Sequence, residues 1–169
     1  SFTLVSLYKG GALVNIESTA PNRLVREGLE SGFLQPFGEP CRLVRPEAPF
    51  GGSRFDFYAE TSSKQGYIEV KGCTLEENGA CFFPDAPTLR GLRHLHELTC
   101  LAKQGLSAAL LFIVQLEGAQ SFQPNRRTQP AFADALRTAA ENGVKILAYS
   151  CRVSPGEVTL AGQLPVFFT

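Results

Sequence analysis

The chain has 169 residues and a mass of 18.3 kDa, with 44% hydrophobic residues, 19% charged residues and a formal net charge of +0. That is the size and composition of one globular unit able to bury a core without disulfides or a structural metal, and the neutral balance excludes binding of nucleic acid by bulk charge alone. No apolar run is long enough to cross a bilayer and no apolar leader is present, so the chain reads as cytoplasmic, with no membrane partner and no obligate small-molecule cofactor.

Phe2 to Tyr8 and Ala12 to Ile16 are β-prone runs separated by Gly10-Gly11, as in a hairpin or the last strands of something larger. Pro21-Asn22 predicts a helix start with Asn22 as N-cap, Leu24, Val25 and Leu29 on the buried face, and an end near Gly32. Three short strands follow, Cys41 to Arg45, Arg54 to Glu60 and Gly66 to Lys71. They are joined by the turn-like Pro49-Phe50-Gly51-Gly52 and Thr61 to Gln65, which predicts an antiparallel meander.

Asn78-Gly79 suits a further small hairpin. From Thr88 to Gln104, Leu89, Leu92, Leu95, Leu98 and Ala102 recur at helical spacing and Gly105 supplies the stop. Ala108 to Leu116 is continuously apolar, as a central strand covered on both faces must be, and a crossover through the long helix sets it parallel to the Gly66 to Lys71 strand. Pro130 to Asn142 predicts another helix, Val144 to Arg152 another strand, and Glu157 to Phe168 a β-prone, irregular tail. The strand after Asn142 excludes a helix-turn-helix. The fold class is therefore α/β, a mixed β-sheet flanked by helices.

Five scattered cysteines without a C-x-x-C pair point to free thiols, and the lack of methionine suggests a chain that was processed or begins mid-protein. Arginine outnumbers lysine and is grouped at Arg23 and Arg26, Arg42 and Arg45, Arg90 and Arg93, and Arg126 and Arg127. Such groups suit phosphate, and equally suit surface ion pairs.

The chain holds only three aspartates, and Asp56 is set between aromatics in Arg54-Phe55-Asp56-Phe57-Tyr58. Further on, Glu69-Val70-Lys71 closes the next strand, so Glu69 and Lys71 share one face and Val70 takes the other. Pairing of the two strands brings Asp56 beside Glu69. Two adjacent carboxylates repel, and Mg²⁺ or Mn²⁺ resolves the conflict through hard oxygen ligands from Asp56, Glu69 and the Val70 carbonyl. Lys71 then positions water or neutralises charge on a phosphate, and the metal activates that water. A solvated strand face with a cross-strand Glu-Lys pair explains the same residues without a metal.

Taken together, Pro21-Asn22-Arg23-Leu24-Val25-Arg26-Glu27, Arg54-Phe55-Asp56-Phe57, Tyr67-Ile68-Glu69-Val70-Lys71, Phe83-Pro84-Asp85-Ala86 with Thr88-Leu89-Arg90-Gly91, His94-Leu95 and Phe112-Ile113-Val114-Gln115 resemble the sugar fermentation stimulation protein A family almost end to end. The resemblance implies an N-terminal OB-fold followed by a restriction-endonuclease-like PD-(D/E)xK domain, so that residues 1–17 are the remnant of the first and residues 18–169 form the second. It also implies sequence-non-specific DNA binding and a part in regulating maltose and other sugar metabolism. Gly51-Gly52 before the aspartate strand and Gly72-Cys73 directly after the lysine depart from the family pattern.

Within that family reading, Asp56, Glu69 and Lys71 are the catalytic candidates and Arg23, Arg54, Arg90 and His94 the DNA contacts. Arg90, His94 and Glu97 fall on one helical face opposite the leucines, where a solvated polar face is the competing explanation. His94 and His96 diverge on a helix and cannot easily share an ion. Asp85 either caps the long helix or stands near the metal; Gln115 either reaches the site or is a satisfied sheet-edge amide; Glu27 is a further possible ligand or a plain exposed acid. Three functions remain open: an active Mg²⁺-dependent endonuclease, a DNA-binding protein retaining the nuclease scaffold, and a catalytically silent domain that binds another protein.

Overall fold

Ser6–Lys9 (β1) and Ala12–Asn15 (β2) pair antiparallel in the computed structural model, which describes residues 6–9 and 12–169. Phe2 to Val5 of the first predicted strand and the Gly10-Gly11 turn lie outside the described residues. Helix α1 (Ala20–Ser31) starts earlier than predicted, with Thr19 at the N-cap and Pro21 in the first turn, where a missing amide costs no hydrogen bond. Asn22 is therefore inside the helix and its side chain is released from capping. Gly32, at φ 83°, closes the helix in the left-handed conformation.

Strands β3 (Leu43–Phe50), β4 (Ser53–Glu60) and β5 (Gln65–Cys73) form the predicted antiparallel meander. β3 runs on through Pro46 and Pro49, beyond its predicted end, because it is the sheet's outer strand and a proline there removes no inner ladder bond. Only Gly51-Gly52 makes the turn into β4. β6 (Leu75–Glu77) and β7 (Ala80–Phe83) form the hairpin around Asn78 and Gly79, both at positive φ.

Helix α2 (Leu89–Lys103) is capped by Thr88, whose Oγ1 accepts the Gly91 amide at 2.9 Å, so Asp85 is not the cap. After it come β8 (Ser107–Val114), a short β9 (Ser121–Pro124) that periodicity did not reveal, and α3 (Pro130–Glu141). β10 (Lys145–Ser154) and β11 (Glu157–Leu164) follow, and the β-prone tail expected to be irregular pairs with β10 through Leu164, with a register shift between Tyr149 and Cys151.

The main sheet has the order β11-β10-β8-β5-β4-β3, with β10, β8 and β5 parallel and the flanking pairs antiparallel. β6, β7 and β9 make a smaller second sheet. β8 explains its own sequence: Leu110, Phe112 and Val114 pack in the core beneath α2 and α3 with Leu95, Leu98, Phe132 and Leu136. Ala109, Leu111 and Ile113 pack in the opposite core with Leu24, Val25 and Leu29 of α1. Both faces are covered, so no polar position is left from Ala108 to Val114. No helix among the described residues is long and apolar enough to cross a membrane.

Candidate functional site

Alternation along β5 places Ile68 and Val70 in the core under α1 and leaves Glu69 and Lys71 on the opposite side. The β4–β5 ladder runs from Glu60↔Gln65 to Phe57↔Ile68 and stops there. Beyond that point the acids take over from the backbone. The Asp56 amide donates to Glu69 Oε1 at 3.2 Å, and the Val70 amide donates to Asp56 Oδ2 at 2.8 Å. Each carboxylate thus accepts the opposite strand's N–H, and this reciprocal clamp holds two acids side by side where the strands part.

Each acid is also held by a helix. From α1, Asn22 Nδ2 donates to Asp56 Oδ1 at 2.9 Å. From α2, His94 Nδ1 meets Glu69 Oε2. Lys71 Nζ lies 3.3 Å from the same Oε2 and 3.2 Å from His94 Nδ1.

The two carboxyls have opposite electrostatics. Burial pushes Asp56 up to about 7, and the neighbouring Glu69 adds to the effect, against the amide of Val70 and the side chain of Asn22. Burial also works to raise Glu69, but the hydrogen bonds from His94 and Asp56 and the charge of Lys71 outweigh it and bring Glu69 down to about 2. Near neutrality Glu69 is a fixed anion and Asp56 is the member of the pair that exchanges a proton.

The predicted trio Asp56, Glu69 and Lys71 is therefore brought together, and Val70 joins through its amide. Beside Asp56 a groove of about 760 Å³ opens between α1 and β3, lined by Asn22, Arg23, Arg26, Glu27, Glu47 and Asp56 among others. Arg23 and Glu27 face it as an ion pair at 3.9 Å, with Glu17 also 3.8 Å from Arg23. Arg54 and Arg90 are exposed. Among the described residues, no group of three His, Cys, Asp or Glu side chains is arranged to hold a metal ion.

Other candidates fall elsewhere. His94 is not on the solvent face with Arg90; it is 2% exposed and turned into the sheet. Gln115 is buried and its amide is taken by Asn15 Oδ1 and the Glu17 carbonyl, each at 3.0 Å, which ties β2 to the end of β8. Asp85 is exposed ahead of α2. Sequence reasoning missed the role of Asn22, because its place near a helix start suits a cap.

Comparison with known proteins decides the lineage. The family model described as the sugar fermentation stimulation protein RE domain matches residues 19–157. The chain belongs to the sugar fermentation stimulation protein family. A family member from Clostridium botulinum is 46% identical over 161 residues, covering 95% of this chain and 70% of the relative. Another, from Ruminiclostridium cellulolyticum, is 44% identical over 165 residues, covering 98% of this chain and 72% of the relative. Among solved structures, Pyrococcus furiosus SfsA in complex with Ca²⁺ superposes with a TM-score of 0.89 at 32% identity, covering 97% of this chain and 71% of the other. The mixed sheet with three helices is thus the architecture of this family.

Proposed function

We propose that this chain is a DNA-binding member of its family whose main sheet carries a PD-(D/E)xK nuclease-type site for Mg²⁺ or Mn²⁺, with Asp56, Glu69 and Lys71 as its working residues. The observation that carries the reading is the reciprocal clamp of Asp56 and Glu69 with Lys71 on the same strand face. The donor set fits a hard ion: two carboxylates, with the Val70 carbonyl as a possible third oxygen, are few protein ligands, which suits an ion that keeps waters and takes phosphate oxygens. The Ca²⁺ in the Pyrococcus furiosus relative supports a divalent site.

When bound, the ion supplies charge stabilisation at the phosphate and acidifies water. The chain's own residues do the rest. Asp56 and Glu69 hold the ion where the strands part, Asn22 orients Asp56, and Lys71 sets an ammonium group beside Glu69 to meet the charge of a phosphodiester. Arg23, Arg54 and Arg90 contact the DNA backbone, and contacts of that kind carry no base sequence, so binding is sequence-non-specific. Residues 18–169 form this unit, and β1 and β2 belong to an OB-fold; a role in regulating maltose or other sugar metabolism is the biological setting.

The test is metal-dependent plasmid nicking by the protein and by Asp56→Asn, alongside DNA binding measured over a salt series. Nicking that Asp56→Asn abolishes supports hydrolysis. Nicking that the variant retains rejects the site. Salt-sensitive binding without nicking selects the DNA-binding scaffold, and absence of both selects a protein-binding domain.

A further inference from the structure

The buried face of α2 consists of Gly91, His94, Leu95, Leu98, Thr99 and Leu101. An imidazole on such a face needs a partner, because burying an unbonded polar group is costly. Two groups stand at its Nδ1: Glu69 Oε2, which it meets, and Lys71 Nζ at 3.2 Å. Lys71 Nζ is in turn 3.3 Å from Glu69 Oε2, so three side chains converge on one point. The Phe55 ring, with its centroid 6.1 Å from that of the imidazole, stands beside the cluster.

A neutral imidazole Nδ1 can do one job at a time: it donates when it carries the proton and accepts when it does not. If Nδ1 were the acceptor, its lone pair would face a carboxylate oxygen. The bond the geometry requires is therefore Nδ1–H to Glu69 Oε2, with Lys71 donating to that same oxygen. This leaves Glu69 Oε1 to the Asp56 amide and fixes the carboxylate at both ends. Without the imidazole donor, Oε2 has Lys71 alone.

We propose that His94 is a positioning residue: it shares Glu69 Oε2 with Lys71 and holds the carboxylate of Glu69 in place toward Asp56. The proposal rests on the divalent-ion reading above. It assigns His94 no contact with the ion or with DNA.

The test uses the whole chain, with Mn²⁺ as the probe in titration calorimetry. His94→Leu fills the space without a donor, while His94→Asn keeps an N–H near the place of Nδ1. Partners of this kind change metal affinity by about 10–100-fold. His94→Leu is expected to weaken Mn²⁺ binding by about tenfold or more and His94→Asn by no more than about threefold. A role in packing alone would make both variants follow their unfolding midpoints instead. In ¹⁵N spectra of the wild-type imidazole, Nδ1 is expected to carry the proton and to shift on Glu69→Gln, and this reading stands even where His94→Leu fails to fold.

Three results would overturn the proposal alone: Mn²⁺ binding by folded His94→Leu equal to wild type, an Asn variant as weak as the Leu variant with both folded, or an imidazole protonated only on Nε2. A wild-type protein that binds no Mn²⁺ overturns the metal reading and this proposal with it, and is recognised because every variant is then silent.

Discussion

Asn22 and Asp56 lie 34 positions apart in the chain, and their side chains meet at 2.9 Å across the gap between α1 and β4. The contact exists because α1 begins at Ala20 with Thr19 as its cap, which frees Asn22 to point at the sheet. Asn22→Ala removes a donor from Asp56 and lets its carboxyl hold its proton to higher pH than it already does. In stability the change is small, since the better helix propensity of alanine, worth about 0.5 kcal/mol, offsets about half of a hydrogen bond worth about 1 kcal/mol. Mn²⁺ affinity at pH 7 is expected to fall severalfold and to recover toward wild type at pH 8.5. Calorimetric titration at the two pH values checks this; a loss that pH does not relieve would rule out the proton-competition account.

The split between the acids makes stability depend on pH in a particular direction. With metal chelated, Asp56 has its folded pKa near 7 against an ordinary 3.8, so between those values the native state holds a proton that the unfolded state has lost. Stability from this group therefore declines as pH rises from about 4 to 7. Glu69 runs the other way: with a folded value near 2 against 4.5, its contribution is complete above pH 4.5 and is lost as pH falls toward 2. Asp56→Asn deletes the first effect. Asn22 can turn its amide to accept from the new amide, and the Val70 amide keeps its acceptor. In chelator, Asp56→Asn is expected to unfold at higher urea than wild type at pH 8, with the gap closing near pH 5. An equal gap at both values would show that Asp56 is not protonated in the fold.

The acid pair was legible because strand alternation is local: the register that buries Ile68 and Val70 sets Glu69 and Lys71 on the other face whatever surrounds them. His94 was not, and the cause is the helix stripe. Counting Leu89, Leu92, Leu95, Leu98 and Ala102 as the inner face turned His94 outward, yet Leu89 is 84% exposed and the buried face is completed by Gly91, His94 and Thr99. Those three carry no apolar signal in a periodicity. β9 escaped for a related reason, since its four residues pair with β7 and are too few to show a period. β11 is short-patterned and half-exposed, and only pairing with β10 makes it a strand.

Gly66 sets how closely β5 can approach the centre of the sheet. A Cβ placed there would stand 1.7 Å from the Ser107 carbonyl oxygen, a backbone atom at the start of β8 that cannot step aside. Gly66→Ala must spread the parallel β5–β8 pair at the end remote from the acids. The expected result is loss of about 3 kcal/mol, the upper end of the usual cost of overpacking, because the neighbour is backbone. Thermal unfolding followed by circular dichroism measures it, and a midpoint within a few degrees of wild type would mean the pair is looser than its register shows.

The arginines proposed as phosphate contacts are not equivalent. Arg23 already has Glu17 and Glu27 near its guanidinium, Arg26 has Glu30, and Arg93 has Glu97. Binding a phosphate through any of these must first compete with a carboxylate, so few counterions are released in the exchange. Arg54, two residues before Asp56 on β4, and Arg90, in the first turn of α2, have no ion-pair partner among the described residues. Both are exposed and offer uncompensated charge. Each phosphate neutralised contributes about −0.9 to the slope of log K against log salt concentration. Arg54→Gln and Arg90→Gln are each expected to make that slope shallower by about one unit, and Arg23→Gln by clearly less. Fluorescence anisotropy with a labelled duplex over 50 to 200 mM salt, a range of about tenfold or more in affinity for several contacts, resolves the difference. A slope that moves with Arg23 and stays fixed for Arg54 and Arg90 would place the DNA along α1, in the groove beside Glu27.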